Sequence, residues 1–419
     1  MFFKVLDWAV TVPTQLQNPR PRNSTLEIIL MVGLLQAISA FTIDIMLPAL
    51  SIMSQDFGVS ETRAQLIVGV YFFGFAAGQL IHGPLSDQYG RKPILMGALG
   101  LYLLATIGIL FTQDFTLLLA LRALQGLLGA GMRIVPTALI RDQYAGAEMA
   151  RIMSFAMMVF LIAPVIAPSI GTVFLQWGWH AIFIFIAALT GVLMLWAGLR
   201  LHETLPAEKR RVQNFTNLRN AASQVFHNKQ SVAYTLILTF TFAILYTYLM
   251  SAPQMYKSFL GLSNTQFALA FGATGIMQTL GAFVNGALVT RLGLHKLIRY
   301  ALWGICAISF LTVPHALLDH QVIGVWLHIS LVLFFMSITF PNANSAALEP
   351  LGNIAGFASS IIGFVSSAGA GLLGSLIGQW AAGDFLKFGI GWTGLAFISL
   401  MILTWLWQRH RPEAKRVRV

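Results

Sequence analysis

The sequence is poor in charged residues and in cysteine. Only 10% of its 419 residues are Asp, Glu, Lys or Arg, whereas 57% are apolar. A soluble domain carries roughly 25% charged residues, because its surface must be solvated. A chain with so few charges cannot cover itself for water, which excludes a soluble enzyme, a disordered scaffold and a fibrous repeat. The single cysteine, Cys306, excludes a disulfide framework and a cysteine-based zinc or iron–sulfur site.

Several catalytic and binding motifs are also missing. The sequence has no G-x-x-x-x-G-K-[ST] phosphate loop, no G-x-S-x-G nucleophile elbow and no H-E-x-x-H zinc motif. The net charge of +11 is spread through short loops and does not form the basic face that nucleic-acid binding needs. We therefore expect a protein that is not an enzyme, binds no nucleic acid, and has no metal site and no cofactor.

Apolar runs of membrane-spanning length recur along the chain. A spanning helix needs about 20 apolar residues, so twelve would use about 240, close to the observed apolar share. The first six runs lie near 27–50, 62–83, 93–111, 116–140, 149–175 and 179–201. The other six lie near 231–252, 265–290, 297–315, 322–345, 354–381 and 386–408. We predict an all-α integral membrane protein with twelve transmembrane helices in two six-helix bundles, 1–201 and 231–419, joined by the polar linker 202–230.

The positions of lysine and arginine predict the orientation. Of the 26 basic residues, all but five would share one side of the membrane if both termini lie there. The opposite side would hold Arg63, Lys257 and Lys387, and the remaining two, Arg122 and Arg133, lie inside spans. Because cytoplasmic loops are enriched in Lys and Arg, both terminal tails and the linker are predicted to be cytoplasmic.

A short segment after the second run recurs half a chain later. Three positions match at one constant spacing, which indicates two halves of like orientation, or parallel repeats. The matching pairs are Gly83 and Gly286, Leu85 and Leu288, and Gly90 and Gly293.

The first copy of this segment, residues 83–92, contains charges as well as glycines. Glycines allow a tight cytoplasmic turn, and Asp87 is expected near a helix N-terminus, where the helix dipole favours an anion. Arg91 and Lys92 can pair with Asp87 or with lipid phosphates. The alternative is an ordinary positively charged loop.

Two arginines lie within the fourth apolar run. An intramembrane charge is expensive and by default indicates function. Arg122 begins the pattern R-x-x-Q-G with Gln125 and Gly126, and Arg133 lies about three turns further along nearly the same face. Arg122 could instead be a structural residue bonded to carbonyls. Arg133 could extend toward the head groups or form a structural pair.

Asp44 is the one acidic residue that lies well inside an apolar run. Burial favours the neutral, protonated carboxyl, whereas a nearby cation such as Arg122 favours the charged form. A group balanced between these effects can take up and release a proton. The alternatives are an Asp that caps a kink at Pro48 or one held in a fixed ion pair.

The fifth run contains two prolines among small residues, in the segment 163–171. Proline removes a backbone donor and bends a helix, and small residues allow close packing. The residues of interest are Pro164, Pro168 and Gly171, and a merely kinked packing helix is the alternative.

Polar and aromatic residues within the spans are candidates to line a substrate cavity. Together with 16 Met and 31 Phe they suit a pliable apolar cavity, although each alone could be a packing contact. They are Gln36, Tyr71, Arg133, Tyr246, Tyr248, Gln254, Gln278, Asn285, Asn342 and Asn344.

The motifs resemble those of the major facilitator superfamily. Segment 83–92 is similar to its G-x-L-S/A-D-x-x-G-R-K/R signature, 122–126 to its R-x-x-Q-G motif, and 163–171 to its antiporter-associated motif. The chain departs from this antiporter-associated motif at two positions. Ala167 stands where a Gly is usual, and Thr172 stands where the family usually has the second Gly of a pair.

A narrower resemblance is to the Bcr/CflA group of drug:proton antiporters. Residues 41–48, Phe-Thr-Ile-Asp-Ile-Met-Leu-Pro, are similar to that group's I-D-x-Y/M-L-P-A-L. Some related exporters carry a second acid two turns before the Asp, where this chain has Gln36. Further similar stretches are Thr137–Asp142, Trp179–Phe183, Phe340–Ala343 and Ala355–Ser360.

The resemblance implies a secondary transporter of the bacterial inner membrane that exports small, mostly apolar molecules, including drugs, in exchange for protons. In that case Asp44 binds the proton, Arg122 tunes it, and 83–92 latches the cytoplasmic side while the two bundles alternate access to a midplane cavity. The partners would be a small-molecule substrate and lipid, the proton would be the coupling ion, and the protein would be a monomer.

Two other functions remain open. The broken motif in the fifth run leaves room for a proton-coupled importer or an exporter of metabolites such as nucleosides, peptides or sugars. A non-transporting receptor would predict a large cytoplasmic effector segment, but the central linker is short.

Overall fold

A computed structural model describes residues 24–144, 146–210, 215–312, 322–381 and 384–409. These residues form helices and connecting segments, and no strand occurs among them. In the first half the helices are α1 Thr25–Asp44, α2 Leu50–Asp56, α3 Glu61–Ala64, α4 Leu66–Tyr89, α5 Arg91–Phe111, α6 Phe115–Gln143, α7 Gly146–Phe174 and α8 Trp179–Arg200. In the second half they are α9 Phe215–His227, α10 Lys229–Pro253, α11 Asn264–Leu292, α12 Leu294–Phe310, α13 Val322–Leu348, α14 Ala355–Ala381 and α15 Phe385–Arg409. Short 3₁₀ turns occur at Leu47–Ala49, Leu175–Trp177, Ala207–Lys209 and Glu349–Ile354, and Gln254–Phe259 is π-helical.

Eleven helical stretches of the described chain are long and apolar enough to cross a membrane. The predicted run at 297–315 coincides with α12, which has 17 residues. That is fewer than the roughly 20 residues of a full crossing. The residues just after it, 313–321, lie outside the described part of the chain, as do the N-terminal tail and the C-terminal residues 410–419. The all-helical membrane class is confirmed, while twelve crossings and cytoplasmic termini stay predictions.

Polar residues before the apolar runs begin several helices. The Asp114 carboxylate accepts a hydrogen bond of 2.7 Å from the Leu117 amide at the start of α6. Ser263 and Gln266 form a reciprocal capping box at the start of α11. These side chains satisfy amides that the first turn of a helix leaves without partners.

The chain divides into two compact units. Unit 1 comprises Met1–Gly58 and Val70–Asn214, and unit 2 comprises Val59–Gly69 and Phe215–Val419. In unit 1, α1 packs on α6 and α7, and α5 packs on α6 and α8. In unit 2, α10 packs on α13, α14 and α15, and α13 also packs on α11 and α12.

The segment 202–230, which is predicted to link the two bundles, contains regular secondary structure. It contains α9, and Glu203 within it makes specific hydrogen bonds to the start of α5. The apolar residues Ala221 and Val225 of α9 are buried, so this helix packs through one face against the other helices of unit 2. The segment has no continuous apolar run that would indicate this helix, because its apolar positions recur only on one helical face.

One pair of glycines matched by the repeat, Gly90 and Gly293, shares the same backbone conformation. Gly90 (φ +103°) is the single residue between α4 and α5, and Gly293 (φ +77°) is the single residue between α11 and α12. Both φ values lie in the region that side-chain-bearing residues rarely adopt. The matched positions are therefore equivalent in structure as well as in sequence.

Candidate functional site

Asp44 is the last residue of α1, and it is buried, with 4% of its surface exposed. After it the chain turns through the 3₁₀ segment Leu47–Ala49, in which Pro48 is an early residue. Asp44 belongs to none of the ion pairs formed among the described residues. Removing a carboxylate from water without a charged partner is costly.

The antiporter-motif helix α7 lies directly on the turn that follows Asp44. A methyl group added at Gly171 would overlap the carbonyl oxygen of Ile45, the residue next to Asp44. Pro168 is buried and its carbonyl accepts a hydrogen bond of 2.9 Å from the Thr172 hydroxyl, while Pro164 is half-buried. The small residue at 171 therefore permits backbone contact between α7 and the end of α1.

Arg122 is fully buried in α6. Its Nη1 donates a hydrogen bond of 2.7 Å to Oε1 of Gln125, and its guanidinium carbon lies 4.8 Å from the ring centroid of Tyr71. No ion pair between Arg122 and Asp44 is among those of the described residues. Any influence of Arg122 on Asp44 therefore acts through the surrounding field and not through a direct salt bridge.

Close contact between α4 and α6 fixes the ring beneath Arg122. A methyl group at Gly126 would overlap the carbonyl oxygen of Tyr71, and one at Gly74 would overlap that of Ala123. The Tyr71 hydroxyl donates a hydrogen bond of 3.0 Å to the carbonyl of Ser39 in α1. Tyr71 is thus held at both its backbone and its hydroxyl.

Gln36 of α1 and Arg133 of α6 are joined through Thr137 of α6. Nε2 of Gln36 donates to the hydroxyl of Thr137 at 3.0 Å, and that hydroxyl donates to the carbonyl of Arg133 at 2.9 Å. The guanidinium of Arg133 lies 5.5 Å from the ring centroid of Phe160 and 6.0 Å from that of Phe75. These are cation–π distances, which favour a structural setting for the Arg133 charge.

The charged segment 83–92 is helical except at Gly90, which corrects the expectation of a loop. The part of the segment before Gly90, which includes Gly83 and Asp87, forms the end of α4. Arg91 and Lys92 begin α5. The buried Arg91 donates from Nε to Asp142 at 2.9 Å and from Nη1 to Asp87.

The acid at the N-terminus of α5 is Glu203 and not Asp87. Its carboxylate accepts hydrogen bonds from the amides of Arg91 (3.0 Å) and Lys92 (3.1 Å), which satisfies the first turn of α5 and complements its dipole. No sequence pattern indicates this contact, because the Glu203 and Arg91 positions are 112 residues apart. Asp142, which pairs with Arg91, lies 51 residues away along the chain.

The remaining cavity candidates belong to unit 2. Tyr246 and Tyr248 are buried in α10, and Gln278 is half-buried in α11. Nδ2 of Asn342 donates to Oδ1 of Asn285 at 2.6 Å and joins α13 to α11.

Gln254 is the first residue of the π-helical segment Gln254–Phe259. Its Oε1 accepts a hydrogen bond of 2.9 Å from Nε2 of Gln65, also in unit 2. Among the described residues, no group of three or more His, Cys, Asp or Glu side chains could hold a metal ion.

Comparisons with known proteins identify the family of this chain. The family model described as Major Facilitator Superfamily matches residues 32–374. A bicyclomycin resistance protein homolog of Haemophilus influenzae is 31% identical over 374 residues, covering 85% of this chain and 90% of that protein. Multidrug resistance protein D of Escherichia coli is 27% identical over 395 residues, covering 92% and 96%.

Solved structures show the same architecture. The crystal structure of a D-xylose–proton symporter superposes with a TM-score of 0.73 at 15% identity, covering 92% of this chain and 96% of that one. At this identity the likeness concerns the fold alone. The family match and the relatives make the chain a multi-pass membrane transporter and not an enzyme. The chain belongs to the Major Facilitator Superfamily and, within it, to the Bcr/CflA group whose motifs its sequence carries.

Proposed function

We propose that this transporter exports small, mostly apolar molecules, including drugs, across the bacterial inner membrane in exchange for protons. The observation that carries the proposal is the buried Asp44 carboxyl at the end of α1, outside every ion pair of the described residues. The relatives are named for resistance to bicyclomycin and to multiple drugs, which supports drugs as the substrate class.

The proton step follows from the setting of Asp44. A protonated carboxyl is neutral and tolerates burial, whereas a carboxylate needs water or a cation. Asp44 therefore takes up a proton when its surroundings open to the outside and releases it when they become more polar toward the cytoplasm. The contact of Gly171 with Ile45 supports a coupling between movement of α7 and the environment of Asp44.

The cluster around Arg91 is suited to stabilise one access state. Arg91 links the end of α4 to Asp142 of α6, and Glu203 holds the first turn of α5. Breaking and remaking these bonds would accompany alternating access, with the cluster on the cytoplasmic side. In this proposal the protein has twelve crossings and cytoplasmic termini and works as a monomer with the proton as its only coupling species.

The proposal is tested in everted membrane vesicles with a proton gradient imposed across the membrane, so that the lumen is acidic. An exporter driven by protons accumulates a dye such as ethidium in these vesicles, and the Asp44→Asn variant should lose this accumulation. The matched control is Asp114→Asn, because Asn replaces Asp well as a helix N-cap and Asp114 lies outside the Asp44 site.

Two results would contradict the proposal. Gradient-driven accumulation at the wild-type rate in Asp44→Asn would remove Asp44 as the proton carrier. Wild-type vesicles that do not accumulate the dye, but that transport a nucleoside, peptide or sugar when the gradient is imposed, would favour the metabolite transporter instead.

A further inference from the structure

We propose that one turn of α5, from Tyr102 to Thr106, is a positioning element that holds the Asp44 end of α1 in register with Arg122. The inference rests on the proposed function and adds a residue, Tyr102, that no sequence motif identifies. It follows from two sets of buried hydrogen bonds that meet on this turn.

The first set joins α5 to α1. The Thr42 hydroxyl lies 2.7 Å from the carbonyl oxygen of Ile38 and 2.6 Å from the hydroxyl of Tyr102. A carbonyl can only accept, so Thr42 donates its single hydroxyl hydrogen to Ile38. Tyr102 must therefore be the donor in its bond with Thr42. Both side chains have no exposed surface, so water cannot replace either partner.

The second set joins α5 to α6. Nη1 of Arg122 donates to Oε1 of Gln125 at 2.7 Å, and Nε2 of Gln125 donates to the hydroxyl of Thr106 at 2.7 Å. The Thr106 hydroxyl then donates to the carbonyl of Tyr102, also at 2.7 Å. Arg122, Gln125 and Thr106 are all fully buried. The orientation of the Arg122 side chain therefore depends on the same turn of α5.

The directions of these bonds exclude a proton relay from Arg122 to Asp44 along this path. One set ends on the carbonyl of Ile38 and the other on the carbonyl of Tyr102, and neither carbonyl can pass a proton on. What the bonds fix is position. Thr42 lies in the last turn of α1, two residues before Asp44, so holding Thr42 holds that turn.

Other ionisable groups near α1 also bear on the pH dependence of transport. The helices α7 and α8 also pack on α1, and their described titratable side chains are not buried. The buried ones on α4, α5 and α6 besides Tyr102 are Tyr71, His82, Arg91 and Arg122.

The test measures proton-driven dye accumulation in reconstituted vesicles of the full-length protein across a range of pH. Tyr102→Phe removes the donor and keeps the ring. It should shift the pH midpoint of transport by about half a unit or more, which corresponds to a several-fold change in proton affinity. The maximal rate should fall several-fold, whereas the KM for the dye should change less than twofold.

Four further variants separate positioning from general damage. Thr42→Val should give the same shift, and the double variant should add little, because both changes break one bond. Thr42→Ser keeps the hydroxyl and should behave as wild type. The matched control is Tyr234→Phe, which removes a phenol bonded at 2.6 Å to His295 in unit 2 and should leave the pH midpoint unchanged.

The outcomes distinguish this inference from the proposed function. An unchanged pH midpoint in a folded Tyr102→Phe, or additive shifts in the double variant, overturns the positioning role while leaving Asp44 as carrier. An equal shift in Tyr234→Phe also overturns it. If Tyr102→Phe does not fold, the contrast between Thr42→Val and Thr42→Ser decides. Loss of proton dependence in the wild type would instead remove the proposed function itself.

Discussion

Replacing Gly171 by Ala should disrupt the contact between α7 and the end of α1. The added methyl group would overlap the carbonyl oxygen of Ile45, a backbone atom that cannot rotate away as a side chain can. The two helices would have to separate by more than an ångström to restore a normal contact. Because Ile45 follows Asp44, this separation should change both stability and transport.

The magnitude follows from two opposing effects. Ala is favoured over Gly inside a helix by about 1 kcal/mol. Overpacking of a close contact typically costs about 1–3 kcal/mol and more when backbone must move. Because the methyl group would meet a backbone atom, we expect a cost at the upper end of that range, about 3 kcal/mol, and a net destabilisation of about 2 kcal/mol. A loss of this size lowers the melting temperature of a unit this size by roughly 4–8 °C.

Thermal unfolding of the detergent-solubilised protein, followed by intrinsic fluorescence, measures this change. The matched control is Gly191→Ala in α8, where an added methyl group would meet no atom within 4 Å. That variant should melt at or slightly above the wild-type temperature. A Gly171→Ala variant with wild-type melting temperature and wild-type dye transport would refute the close approach of α7 to Ile45.

Two further predictions concern the cluster around Arg91. Glu203→Ala removes the acceptor for two amides of α5, so it should cost about 1 kcal/mol and lower the melting temperature by a few degrees. Glu208→Ala, in the neighbouring 3₁₀ turn, serves as its control, and equal melting of the two variants would contradict the capping role. Arg91→Lys keeps the charge but loses the planar fork that reaches Asp142 and Asp87, at a cost of about 1.5–3 kcal/mol. A fall in both melting temperature and transport rate is expected, with the exposed Arg141→Lys unchanged, and an active, stable Arg91→Lys would argue against the latch.

The sequence indicated several local features that the structure contains. The apolar runs predicted helices at nearly all the places where they occur, because a run of about 20 apolar residues can satisfy its backbone in lipid only as a helix. The repeat paired Gly90 with Gly293, and both have the positive φ values that only glycine adopts easily. Asp44 was found by elimination, since its neighbours along the chain are apolar.

Other parts of the candidate site left no pattern in the sequence. Tyr102 is an unremarkable aromatic residue in an apolar run until α5 places it against Thr42. In the sequence, Glu203 is one acid in a polar segment, and only the fold brings it to the amides of α5. The charge of Arg122 suggested an influence on Asp44, but the sequence did not indicate that the guanidinium bonds to Gln125 and contacts Tyr71.

The amino-acid sequence alone determined that this protein lies in a membrane, that it is helical, and that one carboxyl group is placed among apolar residues. Those properties depend on composition and on neighbours along the chain. Only the tertiary structure decided which helix contacts the turn after Asp44 and which side chains orient Arg122. Lipid is as apolar as the helix faces, so hydrophobicity cannot tell a packed face from an exposed one, and the choice is made by close contacts at glycines and by buried hydrogen bonds.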